Sequence, residues 1–346
     1  MRTKLLLTIA AGLMALGALP ALAQRPLGDS AVFAEVPAVP GFPEGVAVRG
    51  NRVYVTGPAN FGIFTPSAVT AYDLRTGALE DIFPVTLQHP QAMKGLSAGN
   101  FGPDGALYVP EPFMGAVLRM SLDPDNTQEV YAGPFPAPGG PGSSLLNELA
   151  FDDAGYLYVT DTFQGTIYRV PPGGGAPEVW LADPRLLGDP NLPFGVNGIR
   201  FDRNDKKLYV SVTFENGTLE GVIYRLPLVD SPTGDDLEEF FRYAPFSGPD
   251  GIAFGKSGKL YVALAGTSQI SVLRPDRTEE ARYSGPAANP GGSPDPLPWA
   301  NPANIAFNDH EGTLLVTNHA SLVNPTDPSL FVVFDVFVDD KGQPLP

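Results

Sequence analysis

Oxygen-bearing side chains recur at a nearly constant spacing along this chain of 346 residues. Five short apolar alternations end in phenylalanine, and in a sixth Val48 takes that place. The residue four positions before each of these is, in turn, Glu44, Ser97, Asn147, Asn197, Asp250 and Ala303. Successive spacings are 53, 50, 50, 53 and 53 residues. Two carboxylates and two amides, with no Cys or His among them, form a hard-oxygen set that suits Ca²⁺.

Turn formation is the simpler explanation for any one of these residues. Asn and Asp often stand where a strand begins, because their side chains stabilise turns. Four oxygen-bearing residues in one register favour a shared site over four unrelated turns. The register therefore predicts that the four side chains converge, provided that the segments carrying them are structural repeats.

The segments that must position these residues do repeat. Four copies are plain and two are weaker; each has an apolar alternation, a polar turn, a second run such as Leu-Tyr-Val, and usually a third run after a glycine. They span residues 145–170, 195–226, 248–273 and 95–120, with weaker copies at 43–57 and 302–320. Units of this length and strand content predict an all-β, six-bladed β-propeller with four-stranded antiparallel blades around a central channel. The aligned residues begin the first strand of each blade, which lines that channel.

The two ends of the repeat region are expected to complete one blade together. The run at 329–340 continues the sixth repeat, and strand FAEV at 33–36 is placed to close the ring. We predict a single propeller domain over residues 24–346, with no linker or second domain.

An export signal precedes this domain. Arg2 and Lys4 are followed by an apolar run over 5–19, and Ala21-Leu22-Ala23 gives a small-residue cleavage pattern. Residues 1–23 are therefore predicted to be a signal peptide, with an uncleaved anchor as the alternative. We expect a periplasmic or secreted bacterial protein.

Composition restricts the partners and the chemistry. The net charge of −16 and pI near 4.5 make nucleic acid, and a membrane surface after signal cleavage, unexpected partners. The chain has no cysteine, so disulfides and thiol catalysis are excluded. No nucleophile-elbow, P-loop or HExxH motif is present.

The oxygen set resembles a family. Glu44, Asn147, Asn197 and Asp250, on blades one, three, four and five, are similar to the catalytic calcium ligands of the calcium-dependent propeller hydrolases. These include the senescence-marker-protein/gluconolactonase group, the paraoxonases and diisopropylfluorophosphatase. The resemblance implies Ca²⁺, or another divalent cation, as cofactor.

The last blade resembles the fluorophosphatase branch in part. Ala303, Asn304 and His319 stand where that branch has a Ser-Asn pair and a pocket His, which implies a catalytic or pocket role for His319. Ser97 and Asn304 are expected to complete the floor of the site. That branch also has a second calcium site, but the corresponding positions here are Ala253 and Ala306, so we expect no such site.

These residues together predict an exported calcium-dependent hydrolase of ester-like bonds, above all a lactonase. Asp250 is the candidate base or nucleophile, and Glu44, Asn147 and Asn197 are the other metal ligands. Lactones or esters as small-molecule substrates follow from the resemblance alone. The alternative is a non-catalytic binding propeller similar to NHL scaffolds, which would need no oxygen set at its axis.

Overall fold

Short runs of β-branched and aromatic residues, separated by glycine-rich turns, form twenty-four strands in the part of the chain that the structure describes. That structure is a computed structural model, which describes residues 25–59, 65–88, 93–122, 125–137, 143–289, 295–321 and 323–345. The strands form six antiparallel four-stranded sheets. The predicted six-bladed propeller is confirmed. The predicted signal peptide lies outside the described residues.

Each of the first five blades is built from four consecutive strands. Blade one contains β2 (Val46–Arg49), β3 (Arg52–Gly57), β4 (Ala68–Asp73) and β5 (Leu79–Pro84); blade two contains β6 (Asn100–Phe101), β7 (Leu107–Glu111), β8 (Ala116–Ser121) and β9 (Thr127–Ala132). Blade three contains β10 (Leu146–Phe151), β11 (Leu157–Asp161), β12 (Thr166–Val170) and β13 (Glu178–Ala182). Blade four contains β14 (Val196–Asp202), β15 (Lys207–Val212), β16 (Glu220–Pro227) and β17 (Glu238–Pro245); blade five contains β18 (Pro249–Phe254), β19 (Leu260–Leu264), β20 (Gln269–Leu273) and β21 (Glu279–Ser284).

Blade six joins the two ends of the described chain. It contains β22 (Pro302–Asn308), β23 (Thr313–Asn318) and β24 (Val332–Phe337), and its outermost strand is β1 (Ser30–Glu35). β1 pairs with β24 in antiparallel register, so that Ser30 lies opposite Val336. The prediction that the N-terminal strand closes the ring is confirmed. Three single 3₁₀ turns, Pro184–Leu186, Gly234–Asp236 and Pro328–Leu330, lie in connections, and no helix in the described ranges is long and apolar enough to span a membrane.

A recurring aromatic contact joins neighbouring blades and explains the sequence repeat. The Tyr of the second strand in each of the first five blades packs edge-to-face on the aligned Phe at or near the end of the inner strand of the next blade. Ring centroids lie 4.8–5.5 Å apart in five successive pairs, Tyr54–Phe101, Tyr108–Phe151, Tyr158–Phe201, Tyr209–Phe254 and Tyr261–Phe307. At the sixth junction both partners are aliphatic, because Leu315 and Val48 occupy the corresponding positions in one apolar cluster.

Candidate metal centre

The residues of the predicted register lie on the innermost strands in blades three to six, and just before the innermost strand in blades one and two (Glu44 and Ser97). In blades three to six the inner strand carries a β-bulge, in which two residues face one residue of the next strand. The bulged pairs are Asn147–Glu148, Asn197–Gly198, Asp250–Gly251 and Ala303–Asn304. A bulge bends the strand and redirects a side chain. The first residue of each pair is the one that the sequence alignment selected.

A buried hydroxyl faces the inner strand in four blades, on Thr56 of blade one and, opposite the bulge, on Thr160, Ser211 and Thr317 of blades three, four and six. Each hydroxyl accepts from the N–H of its own inner strand, namely Gly45 (3.0 Å), Glu148 (3.1 Å), Gly198 (2.8 Å) and Asn304 (2.9 Å). Each donates to the carbonyl of the aligned residue on the next blade, namely Ser97 (2.9 Å), Asn197 (2.6 Å), Asp250 (2.7 Å) and Glu44 (2.8 Å). Through one hydroxyl, these bonds connect the inner strand of a blade to the backbone of the aligned residue on the next blade.

Blade two lacks this hydroxyl, because Pro110 occupies the position. There the Ala98 N–H donates directly to the Asn147 carbonyl at 3.0 Å. The Ser97 hydroxyl also donates to the Leu146 carbonyl at 2.6 Å. Ser97 therefore positions the backbone that leads into Asn147.

Two of the four side chains of the axial oxygen set (Glu44, Asn147, Asn197 and Asp250) are carboxylates that lie close enough to repel each other. Burial, and secondarily the charge of Glu148, raise the pKa of Glu44 to about 8. Burial first, and then the charges of Glu44 and Glu148, raise the pKa of Asp250 well above its ordinary value. Hydrogen bonds from the Asn197 side chain and the Gly251 N–H oppose the shift at Asp250. A nearby cation would relieve this repulsion.

The amide of Asn197 supports the same interpretation. Its Nδ2 donates to Thr213 Oγ1 at 3.1 Å, which fixes the orientation of the amide. Its Oδ1 is buried and has no hydrogen-bond partner, and such atoms are uncommon in folded proteins. Asn147 is buried at the equivalent place on β10. Among the described residues no three His, Cys, Asp or Glu side chains form a metal cluster; the axial oxygen set combines two carboxylates with two amides, and these donors fit a hard cation such as Ca²⁺.

His319 lies next to the axial oxygen set, as the resemblance implied. Its Nε2 lies 3.4 Å from Glu44 Oε2, and its Nδ1 lies 2.6 Å from Ser321 Oγ. The ring also contacts Phe42 edge-on, with centroids 6.3 Å apart. Burial lowers the pKa of His319 to about 3. The imidazole is therefore neutral at pH 7 and orients Glu44 without adding charge.

A second group of polar side chains crosses the channel below the axial oxygen set. Glu148, the second residue of its bulge, accepts from Asn304 Nδ2 at 2.8 Å, and Asn304 lies on blade six, opposite blade three in the ring. Arg200 Nη1 contacts the same carboxylate at 2.6 Å, and the Ile199 N–H donates to its other oxygen at 2.9 Å. We call Glu148, Arg200 and Asn304 the crossbar. All three are buried.

The crossbar needs a glycine beside it. A Cβ on Gly251 would lie 2.6 Å from Asn304 Nδ2 and 2.8 Å from the Ala303 carbonyl. A side chain there would displace the amide from Glu148. Asn304 thus belongs to the crossbar, and its contact toward blade one is a long hydrogen bond from the Val46 N–H to Oδ1, at 3.4 Å.

A cavity of about 450 Å³ occupies the channel on the other side of the crossbar. It is lined by Arg200, by Asn100 and by the ends of inner strands that include Phe201 and Phe254, and residues 342–345 lie along its wall. Ala253 and Ala306, where the fluorophosphatase branch would have ligands, are among the lining residues and offer no side-chain oxygen. The crossbar therefore separates this cavity from the axial oxygen set.

Other candidate residues have structural roles. Asp161 accepts from Ser144 Oγ at 2.6 Å and from the Leu145, Phe163 and Gln164 N–H groups, so it organises a turn. Two aromatic residues of glycine- and proline-rich connections lie in the core: Phe135 packs on Tyr168, and Trp299 stacks on Phe334. Each ring belongs to an apolar cluster that two neighbouring blades share. His89, weighed as a residue of the channel mouth, lies outside the described residues.

Sequence reasoning missed the role of Glu148 and missed Arg200 entirely. A signal for Glu148 was present, because Gly45, Gly198 and Gly251 occupy the position after the aligned residue in three other blades. A carboxylate where the register favours glycine points into the channel. Arg200 carried no comparable signal, since basic residues occur at many exposed strand positions.

Comparison with known proteins identifies the central part of the chain. A family model described as SMP-30/Gluconolactonase/LRE-like region matches residues 144–292. This part of the chain is similar to the SMP-30/gluconolactonase/LRE-like family. It contains Asn147, Asn197 and Asp250, and the predicted resemblance to the senescence-marker-protein/gluconolactonase group is confirmed. No curated protein sequence matches the chain significantly.

Solved structures share the fold over nearly the whole length. Regucalcin from Agrobacterium tumefaciens, described as a calcium-binding protein, is 17% identical, with a TM-score of 0.61 over 91% of this chain and 95% of that chain. A gluconolactonase from Xanthomonas campestris is 18% identical, with a TM-score of 0.58 over 93% and 99%. Virginiamycin B lyase from Staphylococcus aureus is 16% identical, with a TM-score of 0.56 over 89% and 99%. At these identities the similarity shows the fold, and the chemistry depends on this chain's own side chains.

Proposed function

We propose that this chain is an exported calcium-dependent hydrolase of ester bonds, above all a lactonase. The observation that carries the proposal is the axial oxygen set, in which two mutually repelling carboxylates lie beside an amide oxygen that has no partner. The SMP-30/gluconolactonase/LRE-like region over residues 144–292 supports the substrate class. A propeller used only for recognition has no need of such a set.

Glu44, Asn147, Asn197 and Asp250 would hold the ion. Two carboxylate charges match the charge of Ca²⁺, and a set of four protein ligands leaves places for water and substrate in a shell of six to eight oxygens. When bound, calcium polarises the substrate carbonyl and stabilises the oxyanion that develops on attack. His319 keeps Glu44 in place without charge, and Ser97 fixes the backbone before Asn147.

Asp250 is placed to handle the proton. Its backbone carbonyl is fixed by Ser211 and its carboxyl by Asn197 and Gly251, yet its side chain keeps some exposure to the channel. As general base it takes a proton from water while the water oxygen bonds to the carbonyl carbon. The tetrahedral intermediate then breaks its ring C–O bond, and the leaving alkoxide takes that proton. One water is consumed and a hydroxy acid is formed. Attack by the carboxylate itself is the other route open to Asp250.

Calcium titration of the purified mature protein by calorimetry tests the metal part. We expect one site in the wild type and loss of that site in Asp250→Ala. Asp230→Ala is a matched control, because the Asp230 side chain is fully exposed and lies in the connection between β16 and β17, not on an inner strand. If the folded wild type binds no calcium at millimolar concentration, the metal-hydrolase proposal is wrong and a recognition propeller becomes the better explanation.

A panel of lactones and aryl esters tests the substrate class. We expect hydrolysis that is lost with a chelator, restored by calcium, and lost in Asp250→Ala. Calcium binding without turnover of any lactone or ester would refute the lactonase proposal while leaving the metal site intact. Export is tested separately, by the N-terminus of the protein recovered outside the cytoplasm, which we expect to be Gln24.

A further inference from the structure

We propose that Arg200 is a positioning residue of the metal centre. Its guanidinium serves as a built-in counter-cation for Glu148, and thereby limits the channel to one divalent ion in the axial oxygen set. The inference rests on the metal-binding part of the proposed function and is independent of the substrate.

Glu148 would otherwise be a third carboxylate of the site. It lies on the same bulge as Asn147, and its charge acts on both Glu44 and Asp250. Its side chain is only 1% exposed, so water cannot stabilise the charge. A buried carboxylate in this position requires either a cation or a full set of donors.

The crossbar supplies both. Arg200 Nη1 and Asn304 Nδ2 contact Glu148 Oε1, and the Ile199 N–H binds Oε2. Arg200 Nη1 is itself fixed by the Ile199 carbonyl at 2.8 Å. These contacts hold the Glu148 carboxylate at the crossbar and satisfy both of its oxygens. Among the described side chains that contact Glu148, Arg200 is the one that carries a positive charge.

The same geometry shows what the guanidinium excludes. Glu148 and the amide of Asn304 already lie together across the channel, and Asn100 lines the adjoining cavity, which can supply water. Carboxylate, amide and water oxygens are a suitable calcium environment. Arg200 occupies the position that a second cation would take.

Calcium stoichiometry tests this proposal without reference to activity. By calorimetry we expect one ion in the wild type and one in Arg200→Lys, which keeps the charge. We expect two ions in Arg200→Met, the second weaker, and one again in the double variant Arg200→Met/Glu148→Gln. A folded Arg200→Met protein that binds one ion with unchanged affinity would overturn the proposal.

A second arm applies even if Arg200→Met does not fold. Glu148→Gln leaves Arg200 as an uncompensated positive charge beside the axial ion, so calcium affinity should weaken at least tenfold. Arg200→Met/Glu148→Gln should recover to within about threefold of the wild type. An unchanged dissociation constant in Glu148→Gln would overturn the inference. If the wild type binds no calcium, the proposed function fails and this inference fails with it, whereas a wild type that binds one ion, with no change in stoichiometry or affinity in the variants, overturns the inference alone.

Discussion

Carboxylates lie at two levels of the central channel: the upper level is the axial oxygen set and the lower level is the crossbar. The two levels differ in how many hydrogen-bond donors contact the carboxylates. At the upper level, Glu44 contacts His319 at 3.4 Å, and the pKa values of Glu44 and Asp250 are raised first by burial and then by the charges of neighbouring carboxylates, Glu148 at Glu44 and both Glu44 and Glu148 at Asp250. At the lower level, Glu148 has three donors at 2.6–2.9 Å, one of them charged. The two levels are adjacent in sequence, since Asn147 and Glu148 share one bulge.

This contrast distinguishes carboxylates that are available to bind a ligand from a carboxylate that stabilises the fold. A carboxylate that the protein fully satisfies contributes to the fold, whereas one that is left short of donors is available to a ligand. The bulge of blade three places Asn147, of the axial oxygen set, directly before Glu148, of the crossbar. Stability measurements on metal-free protein should therefore separate the two levels.

Removing the Glu148 carboxylate from the crossbar should have the largest effect on the free energy of unfolding. Glu148→Leu leaves Arg200 buried and unpaired, and removing one partner of a buried pair typically costs about 3–5 kcal/mol. We expect a loss of that size in the free energy of unfolding, measured by denaturant titration in the presence of a chelator. Glu178→Leu is the control, because Glu178 is half-exposed in its pair with Arg169 and should cost less than about 1 kcal/mol. Equal losses in the two variants would contradict the contrast.

The sequence predicted more of the upper level than of the lower. The spacing predicted that Glu44, Asn147, Asn197 and Asp250 occupy corresponding positions at the start of the inner strands, because a propeller repeats one blade around its axis. The crossbar could not be predicted, since its bonds join blades three, four and six through side-chain directions that the bulges set. No pattern in one strand reveals a bulge whose partner hydroxyl lies in the next strand.

Glu111, a buried carboxyl at the end of β7, extends the comparison to the pH dependence of stability. Glu111 stands where blade three has Asp161, but burial raises the pKa of Glu111 to about 7, and the Met114 N–H and the charge of Lys94 offset this only in part. A carboxyl whose pKa is higher in the folded state than in the unfolded state, near 4.5, destabilises the fold as pH rises from about 4.5 to about 7. The shift corresponds to about 3 kcal/mol above pH 7.

Glu111→Gln should therefore be nearly neutral at pH 4.5 and stabilising by up to about 3 kcal/mol at pH 8. The measurement is the difference in unfolding free energy between the variant and the wild type across that range, which cancels the contribution of other groups. A difference that does not change with pH would show that Glu111 has enough donors after all. Asp161→Asn is the counterpart. Burial raises the pKa of Asp161 as well, but Asp161 accepts from five groups around its turn, and an amide would turn its own N–H groups toward some of these donors, so we expect the substitution to destabilise the fold.

The fold itself was predictable for a related reason. Tyr108 and Phe151, and their counterparts at the next junctions, repeat because each blade packs on the next in the same way. What the repeat could not indicate was the fate of the loop aromatics. Trp299 and Phe135 lie in segments that resemble surface loops, yet they fill core space that the strands leave open.

The smallest expected effect concerns the hydroxyls that join the two levels. Thr160 accepts from the Glu148 N–H and donates to the Asn197 carbonyl, so it fixes a crossbar residue and a member of the axial oxygen set together. Thr160→Val leaves both buried groups without that partner, and we expect a loss of about 2 kcal/mol in unfolding free energy. Thr160→Ser should stay within about 1 kcal/mol of the wild type, and Thr127→Val on the exposed edge of blade two within about 0.5 kcal/mol. If the hydroxyl fixes Asn197, Thr160→Val should also weaken calcium binding severalfold, whereas unchanged calcium affinity with reduced stability would show that the two levels are independent.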